Sequence, residues 1–414
     1  MRFDKWTAVL AAAGVVSLAS VVRAEEQPST VMTALGSTTL SGYVDTSAEW
    51  NFGTGNANVA PYKFNSPSKA DGFNLDVVQL RIEKPLDESD WAAGYRVDLW
   101  AGPDANVLGT QSVFGGGSKA FPGDFAIRQA YVALRAPVGN GLDFKVGVFD
   151  SIIGYESVAS PDDPNFTRSY GHSIEPQTHT GVLASYRFCD MLSASFGVAN
   201  TIGPAIDSRA FAPVQPVNPY SESYKTYMGS VAITAPESMG FLSGSTLYGG
   251  VVNGFNNNVL GNPGLAMPTL NAYVGGTIAT PVTGLRLGAA WDLLNMDTAP
   301  AGPGSKLQAD VWSLAGYASF QATEKLSFHG RVERITGDVD QAIGLAFVGG
   351  PSYAQNAIDA ATLTVQYDLW KNVLSRVEFR WDHVEHGLAF GGTELGTPTR
   401  ENAFLLAANI VYKF

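Results

Sequence analysis

Residues 403–414 read Ala403-Phe404-Leu405-Leu406-Ala407-Ala408-Asn409-Ile410-Val411-Tyr412-Lys413-Phe414. From Phe404 every second residue is apolar or aromatic (Phe404, Leu406, Ala408, Ile410, Tyr412, Phe414), while the intervening set carries Asn409 and Lys413. A period of two belongs to a strand with one apolar face. The apolar face runs the whole length and includes the last residue. An edge strand of a soluble sandwich has little reason to carry such a face uncovered.

The other end of the chain has a different character. Met1-Arg2-Phe3-Asp4-Lys5 precedes an apolar run from Trp6 to Val22, which ends at Val22-Arg23-Ala24 before Glu25. A charged start, an apolar centre and a small residue at the end read as a secretory signal peptide over 1–24. Residues 25–37 then form a short polar lead. Beyond Val22 no apolar stretch is long enough for a membrane helix, which needs about 18–20 residues. Cys189 is the one cysteine, so no internal disulfide framework exists. The formal charge is −12, and removal of 1–24, which carry Arg2, Lys5 and Arg23 against Asp4, leaves −14. That balance argues against nucleic acid as a partner.

Upstream of 403–414 the same two-residue period recurs fifteen times, the first strand being read at 38–50. In 75–83, Val78, Leu80 and Ile82 oppose Gln79, Arg81 and Glu83. In 91–101, Tyr95, Val97 and Leu99 oppose Arg96 and Asp98. In 326–334, Phe328 and Val332 oppose His329, Arg331 and Glu333; in 373–382, Val377, Phe379 and Trp381 oppose Arg376, Glu378, Arg380 and Asp382. The runs 126–135, 180–188, 225–234, 244–253, 270–278 and 308–320 alternate less strictly. Between strands, long connections (51–74, 102–125, 150–179, 201–224, 254–269, 293–307, 335–358, 383–402) alternate with short ones throughout. Long connections therefore share one end of the molecule and tight turns the other.

These features predict an all-β fold: a transmembrane, antiparallel, up-and-down β-barrel of about sixteen strands over 38–414, with long outer loops and short periplasmic turns. In hydrocarbon every backbone N–H and C=O must be paired within the protein, and a closed sheet does that. The apolar faces would meet lipid, and the polar faces would line a lumen wide enough for water. Trp91, Trp370, Trp381, Tyr412 and Phe414 are expected to form an aromatic girdle beside the short turns.

Several stretches resemble the OmpL-like group of β-barrel porins. They are Arg128-Gln129-Ala130-Tyr131-Val132, the run Ala136-Pro137-Val138-Gly139-Asn140-Gly141-Leu142-Asp143-Phe144-Lys145-Val146-Gly147, and Ile153-Gly154-Tyr155-Glu156. Pro164-Asn165-Phe166-Thr167-Arg168-Ser169-Tyr170, His179-Thr180-Gly181, Asn253-Gly254 and Arg380-Trp381-Asp382-His383 also resemble it. Thr167 stands where Ser is usual, and Thr201 follows Asn200 where Gly is usual. The resemblance implies a Gram-negative outer-membrane porin. The C-terminal strand is similar to the closing strand of such barrels, which implies that Tyr412 and Phe414 act as the insertion signal read by the barrel assembly machinery. A homotrimer is a further implication of the likeness to general porins.

The longest connection, 150–179, is the third outer loop, which in general porins folds inward and narrows the lumen. Tyr155, Glu156, Asp162, Asp163, Arg168 and Glu175 are the candidate constriction residues. Arg81, Arg96, Arg128, Arg376, Glu378, Arg380 and Asp382 are the candidate lumen-lining residues. Carboxylates facing arginines across a gap would order water and penalise apolar solutes. The alternative is a loop lying outside with its charges solvated.

Chemistry has weaker signals. His383-Val384-Glu385-His386 offers two imidazoles at a spacing that suits a helix rather than the end of a strand, so no metal is expected. No His stands in a Gly-x-Ser-x-Gly setting. Gly115-Gly116-Gly117-Ser118-Lys119 has Ser and Lys in the wrong order for a phosphate loop. The sequence therefore implies no enzyme and no cofactor: a diffusion porin for small hydrophilic solutes and ions, with weak cation preference, embedded in outer-membrane lipid. A substrate-selective channel for sugars or anions and an adhesive barrel with a closed lumen are the alternatives.

Overall fold

The computed structural model describes residues 31–32, 37–110, 123–210, 223–257, 266–297, 308–339 and 356–414. The signal peptide read at 1–24 and most of the lead lie outside them, as does the 115–119 run. Sixteen long strands form the wall: β1 Thr39–Asn51, β2 Gly72–Lys84, β3 Ala93–Ala101, β4 Phe125–Ala136, β5 Leu142–Asp150, β6 Thr178–Arg187, β7 Leu192–Ala199 and β8 Thr226–Thr234, then β9 Thr246–Asn257, β10 Ala266–Ala279, β11 Leu285–Asp297, β12 Gln308–Gln321, β13 Leu326–Val339, β14 Asn356–Trp370, β15 Val373–Val384 and β16 Asn402–Lys413. A two-residue strand, Val31–Met32, adds onto the start of β1. Two short helices lie in outer loops, α1 Pro103–Leu108 and α2 Tyr170–Ile174.

Every strand pairs antiparallel with its sequence neighbour, and β16 pairs with β1, so the sheet closes on itself. Val411 faces Asp45 and Tyr412 faces Val44 across that seam. Gly42 and Phe414 close it with reciprocal backbone bonds, 2.9 and 3.0 Å. A side chain on Gly42 would lie inside contact distance of the Gln79 carbonyl and the Phe414 ring. Gly42→Val should therefore prevent closure, giving protein without the heat-dependent gel mobility of a folded barrel. Normal mobility would show that the seam tolerates a side chain.

The two-residue period is realised in burial. On β15, Arg376, Glu378, Arg380 and Asp382 are buried while Val377 and Phe379 face outward; on β16, Phe404, Leu406, Ile410 and Tyr412 face outward. Short turns occupy one end, the tightest being Lys371–Asn372, where Asn372 takes φ 65°. Asn accepts that left-handed geometry better than most residues.

Two expectations need correction. The sequence reading puts Trp381 in the girdle beside the short turns. It pairs with Phe404, eight residues along β15 from the turn, roughly 26 Å at the usual strand rise. It belongs to the outer end, where it stacks on His383, near the Phe52–Phe379 edge contact and the Phe379–Phe404 stack. Exposed Trp91, Trp370 and Tyr412 do lie at the turn end. Second, the strict alternation of connection lengths fails once. β9 and β10 run further outward than expected, leaving 258–265 between them, whereas the turn-side connection 235–245 is longer. Strand pairing continues where both chains can keep their ladder bonds, and sequence period alone does not mark that limit.

Candidate functional site

The third outer loop, 151–177, runs through the interior of the barrel. Three apolar clusters and a polar network hold it there. At its start, Ile152 and Ile153 pack with Leu183, Met228, Ala232, Tyr248, Val252, Tyr273, Ala290, Ala315 and Tyr317, which are inward residues of β6 and β8–β12. Tyr155 stacks on Tyr317 at 4.0 Å. Farther on, Val158 and Ala159 join Tyr43, Val77, Trp100, Ala126, Leu374 and Val411 from the opposite wall. Tyr170 packs with Ile358, Ala360, Val384, Leu405 and Ala407. Apolar contact with both walls explains why the loop is inside: outside, these side chains would face water, at about 25 cal/mol per Å² of apolar area.

The polar half of the loop meets a charged wall. The N–H groups of Phe166 and Thr167 donate to the Glu378 carboxylate at 2.6 and 2.9 Å, and the Thr167 hydroxyl donates to it at 2.5 Å. Tyr170 donates its N–H to Glu333 (2.5 Å) and its hydroxyl to Asp382 (2.7 Å). Glu156 accepts from Arg331 at 2.9 Å, and Arg331 also donates to the Thr167 carbonyl. Arg376 donates to the Ser160 and Asp163 carbonyls, and Arg380 to the Arg168 carbonyl. Inside a low-dielectric interior such charge-assisted bonds are strong, and an unpaired member is costly.

The two walls differ in kind. Among the described residues, buried inward charges cluster on β1–β5 and β13–β15, whereas β6–β12 contribute Asp292 alone. The loop is built to match, with Ile152, Ile153 and Tyr155 toward the neutral wall and Glu156, Asp163 and Arg168 among charges.

The structure brings the candidate residues together in two groups. Arg376, Glu378, Arg380 and Asp382 contact the loop directly. Arg81, Arg96 and Arg128 instead converge on Asp98, at 2.9, 2.8 and 3.2 Å, and Arg128 also reaches Asp150 at 2.5 Å. The arrangement expected across a gap, loop carboxylates facing these arginines, is replaced by direct contact. The carboxylate that meets a wall arginine is Glu156, and that arginine is Arg331. Asp163 pairs within the loop, with Arg168 at 3.1 Å. Asp162 makes no side-chain bond to the wall among the described contacts. Arg331 and Glu333 were missed as candidates although they stand on the inward face of 326–334. The face argument already puts both on the polar side of that strand, so it would have admitted them to the lumen set. At the outer end of β15, His383 bonds Asn402 (3.1 Å) and Glu385 bonds Arg334 (2.5 Å).

Burial shapes the titration of the loop. Burial pushes Asp163 up to about 7, although Arg168 pulls the other way. Glu175 is raised well above the usual carboxylate range by burial and by its hydrogen-bonded neighbour Asp292. Burial, with Arg168 beside it, keeps His172 well below its ordinary range and so neutral. A carboxyl with a raised folded pKa stabilises the fold fully below its unfolded value and loses that contribution as pH rises through the folded one. Loop docking should weaken as pH is raised from 5 to 8, through about 7 for Asp163, with Glu175 acting in the same direction. Open-channel noise should rise over that interval and become pH-independent in the Asp163→Asn/Glu175→Gln double variant. Equal noise at both pH values in the parent protein would refute this.

Full burial of the lumen charges also bears on the passage. Arg331, Arg376 and Arg380 are at most 2% exposed. On the turn side of the loop, Arg81 and Glu83 keep 24% and 28% of their side-chain surface open.

A family model described as "Putative beta-barrel porin-2, OmpL-like" matches residues 37–414. No curated protein matches the chain. Among solved structures, the anion-selective porin from Comamonas acidovorans is 13% identical, with a TM-score of 0.58, over 91% of this chain and 99% of that one. The outer membrane channel DcaP of Acinetobacter baumannii is 14% identical, with a TM-score of 0.56, over 91% and 97%. In vitro folded OmpT of Vibrio cholerae, in its trimer form, is 11% identical, with a TM-score of 0.56, over 91% and 99%. At these identities the likeness concerns the fold. The family match covers the whole barrel, from its first strand through the inserted loop to Phe414, and the chain therefore belongs to the OmpL-like beta-barrel porin family of the outer membrane.

Proposed function

We propose that this porin passes small hydrophilic solutes and ions by passive diffusion through a narrow path set by loop 151–177. The observation that carries the reading is the anchoring of that loop across the barrel by Glu378, Arg331, Arg376 and Arg380. Tyr155, Glu156, Asp162, Asp163, Arg168 and Glu175 form the constriction, and the wall charges set its electrostatics. Buried Asp and Glu outnumber buried Lys and Arg by 14 to 7 among the described residues, which supports a weak cation preference. The chain functions without a cofactor or catalysis. Tyr412 and Phe414 serve as the insertion signal for the assembly machinery, residues 1–24 as the export signal, and a homotrimer as the working assembly, as in the trimer form of OmpT.

Liposome swelling tests the diffusion reading. Vesicles carrying the protein should swell in arabinose and resist swelling in raffinose. Equal rates for both sugars would refute a narrow path. A closed barrel that presents its outer loops to a partner is the second reading, favoured by the same burial of Arg331, Arg376 and Arg380. It requires no swelling in either sugar.

A further inference from the structure

The wall formed by β6–β12 is nearly uncharged toward the lumen. Among the described residues, three charged side chains point inward from it: Arg187, Arg286 and Asp292. Arg187 is held at its turn by Asp190, at 2.7 Å, and Asp292 is buried against Gly171 of the inserted loop. Arg286, the second residue of β11, is half-buried and has no carboxylate at ion-pair distance among the described residues. Its one described hydrogen bond is long, from Nη1 to the Gly244 carbonyl at 3.5 Å. A guanidinium carries five N–H donors, so most of those on Arg286 have no protein acceptor.

The inserted loop brings a second donor to the same place. The Tyr155 ring is partly buried on Tyr317, and its hydroxyl lies over Gly288, where any side chain would collide with it. Gly288 and Arg286 share the inward face of β11, two residues or about 6.6 Å apart along the strand. The Tyr155 hydroxyl makes no hydrogen bond among the described residues. Beside the two donors the wall offers hydroxyls and no counter-charge: Thr277 pairs with Gly288 in register and meets Thr246 at 3.1 Å. The carboxylates of the opposite wall are already engaged, since Asp98, Glu83 and Asp150 hold Arg81, Arg96 and Arg128. Lys145 adds a further cation there, over the Tyr131 ring at 5.1 Å.

We propose that Arg286 and Tyr155 form a transit site for a small oxyanion, a phosphate or a carboxylate, on the turn side of the constriction. The planar guanidinium matches two oxygens of such an ion, and the Tyr155 hydroxyl donates to one of them from the loop side. Chloride has no pair of oxygens for that fork and gains less from it. The site is complete only while the loop is docked, because Arg286 belongs to the wall and Tyr155 to the loop. The proposal deepens the porin reading and rests on it for transit, though binding itself needs no conduction. Arg286 also limits the weak cation preference, because it holds an anion in the path that cations share.

Peptide-resolved labelling of arginines with phenylglyoxal, on the folded protein in detergent, tests the site without reference to conductance. Arg286 should react, and inorganic phosphate should slow that reaction at least threefold relative to chloride at equal ionic strength. Arg334, 40% exposed at the outer rim, should react equally in both salts. Tyr155→Phe keeps the ring and removes the donor, so the protection should fall while heat-dependent gel mobility shows a folded barrel. No protection of Arg286 in the parent protein, or undiminished protection in Tyr155→Phe, would overturn the proposal. In a bilayer, Arg286→Gln should raise the permeability ratio of potassium to phosphate at least twofold, and an unchanged ratio would also overturn it. Conductance separates the two failures. A conducting protein without protection loses the site and keeps the porin reading, whereas protection in an electrically silent protein keeps the site and loses transit.

Discussion

Deletion of residues 155–170 should raise single-channel conductance several-fold while leaving the barrel folded. That segment contains the side chains that meet both walls, including Tyr155 on Tyr317, Glu156 on Arg331 and Tyr170 on Asp382. Without it, Arg331, Arg376, Arg380 and Glu378 would face water in a wide lumen instead of loop backbone. The wall should survive, because its ladder bonds and seam make no use of the loop. Water can solvate the freed charges, and several already pair along the wall, such as Arg331 with Glu333 and Arg380 with Asp382. Conductance unchanged from the parent protein would place the narrowing elsewhere.

Glu378→Leu should release the loop without removing it. Its carboxylate is fully buried and accepts from Phe166, Thr167 and Thr364 together. Loss of that acceptor strands two backbone N–H groups in the interior, about 1–3 kcal/mol each. The opposing term, burial of leucine in place of a charge, cannot satisfy those donors. The loop should therefore spend part of its time undocked, seen as larger and noisier current steps. Arg168, 3% exposed in the docked state, should then become a trypsin site. Resistance at Arg168 together with parent-like current would show that Glu378 is dispensable to docking.

The barrel was legible because hydrocarbon imposes a simple rule on each strand. Where one face meets lipid and the other carries charge, as in β2, β3, β13, β15 and β16, alternation separates the faces cleanly. The blurred runs have a physical cause that the period could not reveal. Inward residues of β6, β8–β10 and β12 (Leu183, Met228, Tyr248, Tyr273 and Ala315) are apolar because they pack on Ile152 and Ile153. Strands with two apolar faces thus mark the part of the lumen that the loop fills. Apolar Ile152-Ile153 at the start of a long outer loop was the matching signal, one that charge-based reading passed over.

The site was less legible than the fold. Glu378 and Arg380 could be placed on the inward face, yet whether they line water or clasp backbone depends on contacts more than 200 residues apart in sequence. The pairing of Glu156 with Arg331, 175 residues apart, is likewise invisible to the period. So is the height of Trp381 on β15, which follows from strand length rather than from residue type.

The most direct measurement is single-channel conductance of the purified parent protein in a planar bilayer under a potassium chloride gradient. Protein shown to be folded by its heat-dependent gel mobility should give small, steady, ohmic steps with a reversal potential of cationic sign. Electrical silence from the same folded protein would contradict an open diffusion path, leaving loop 151–177 as the plug of a closed barrel.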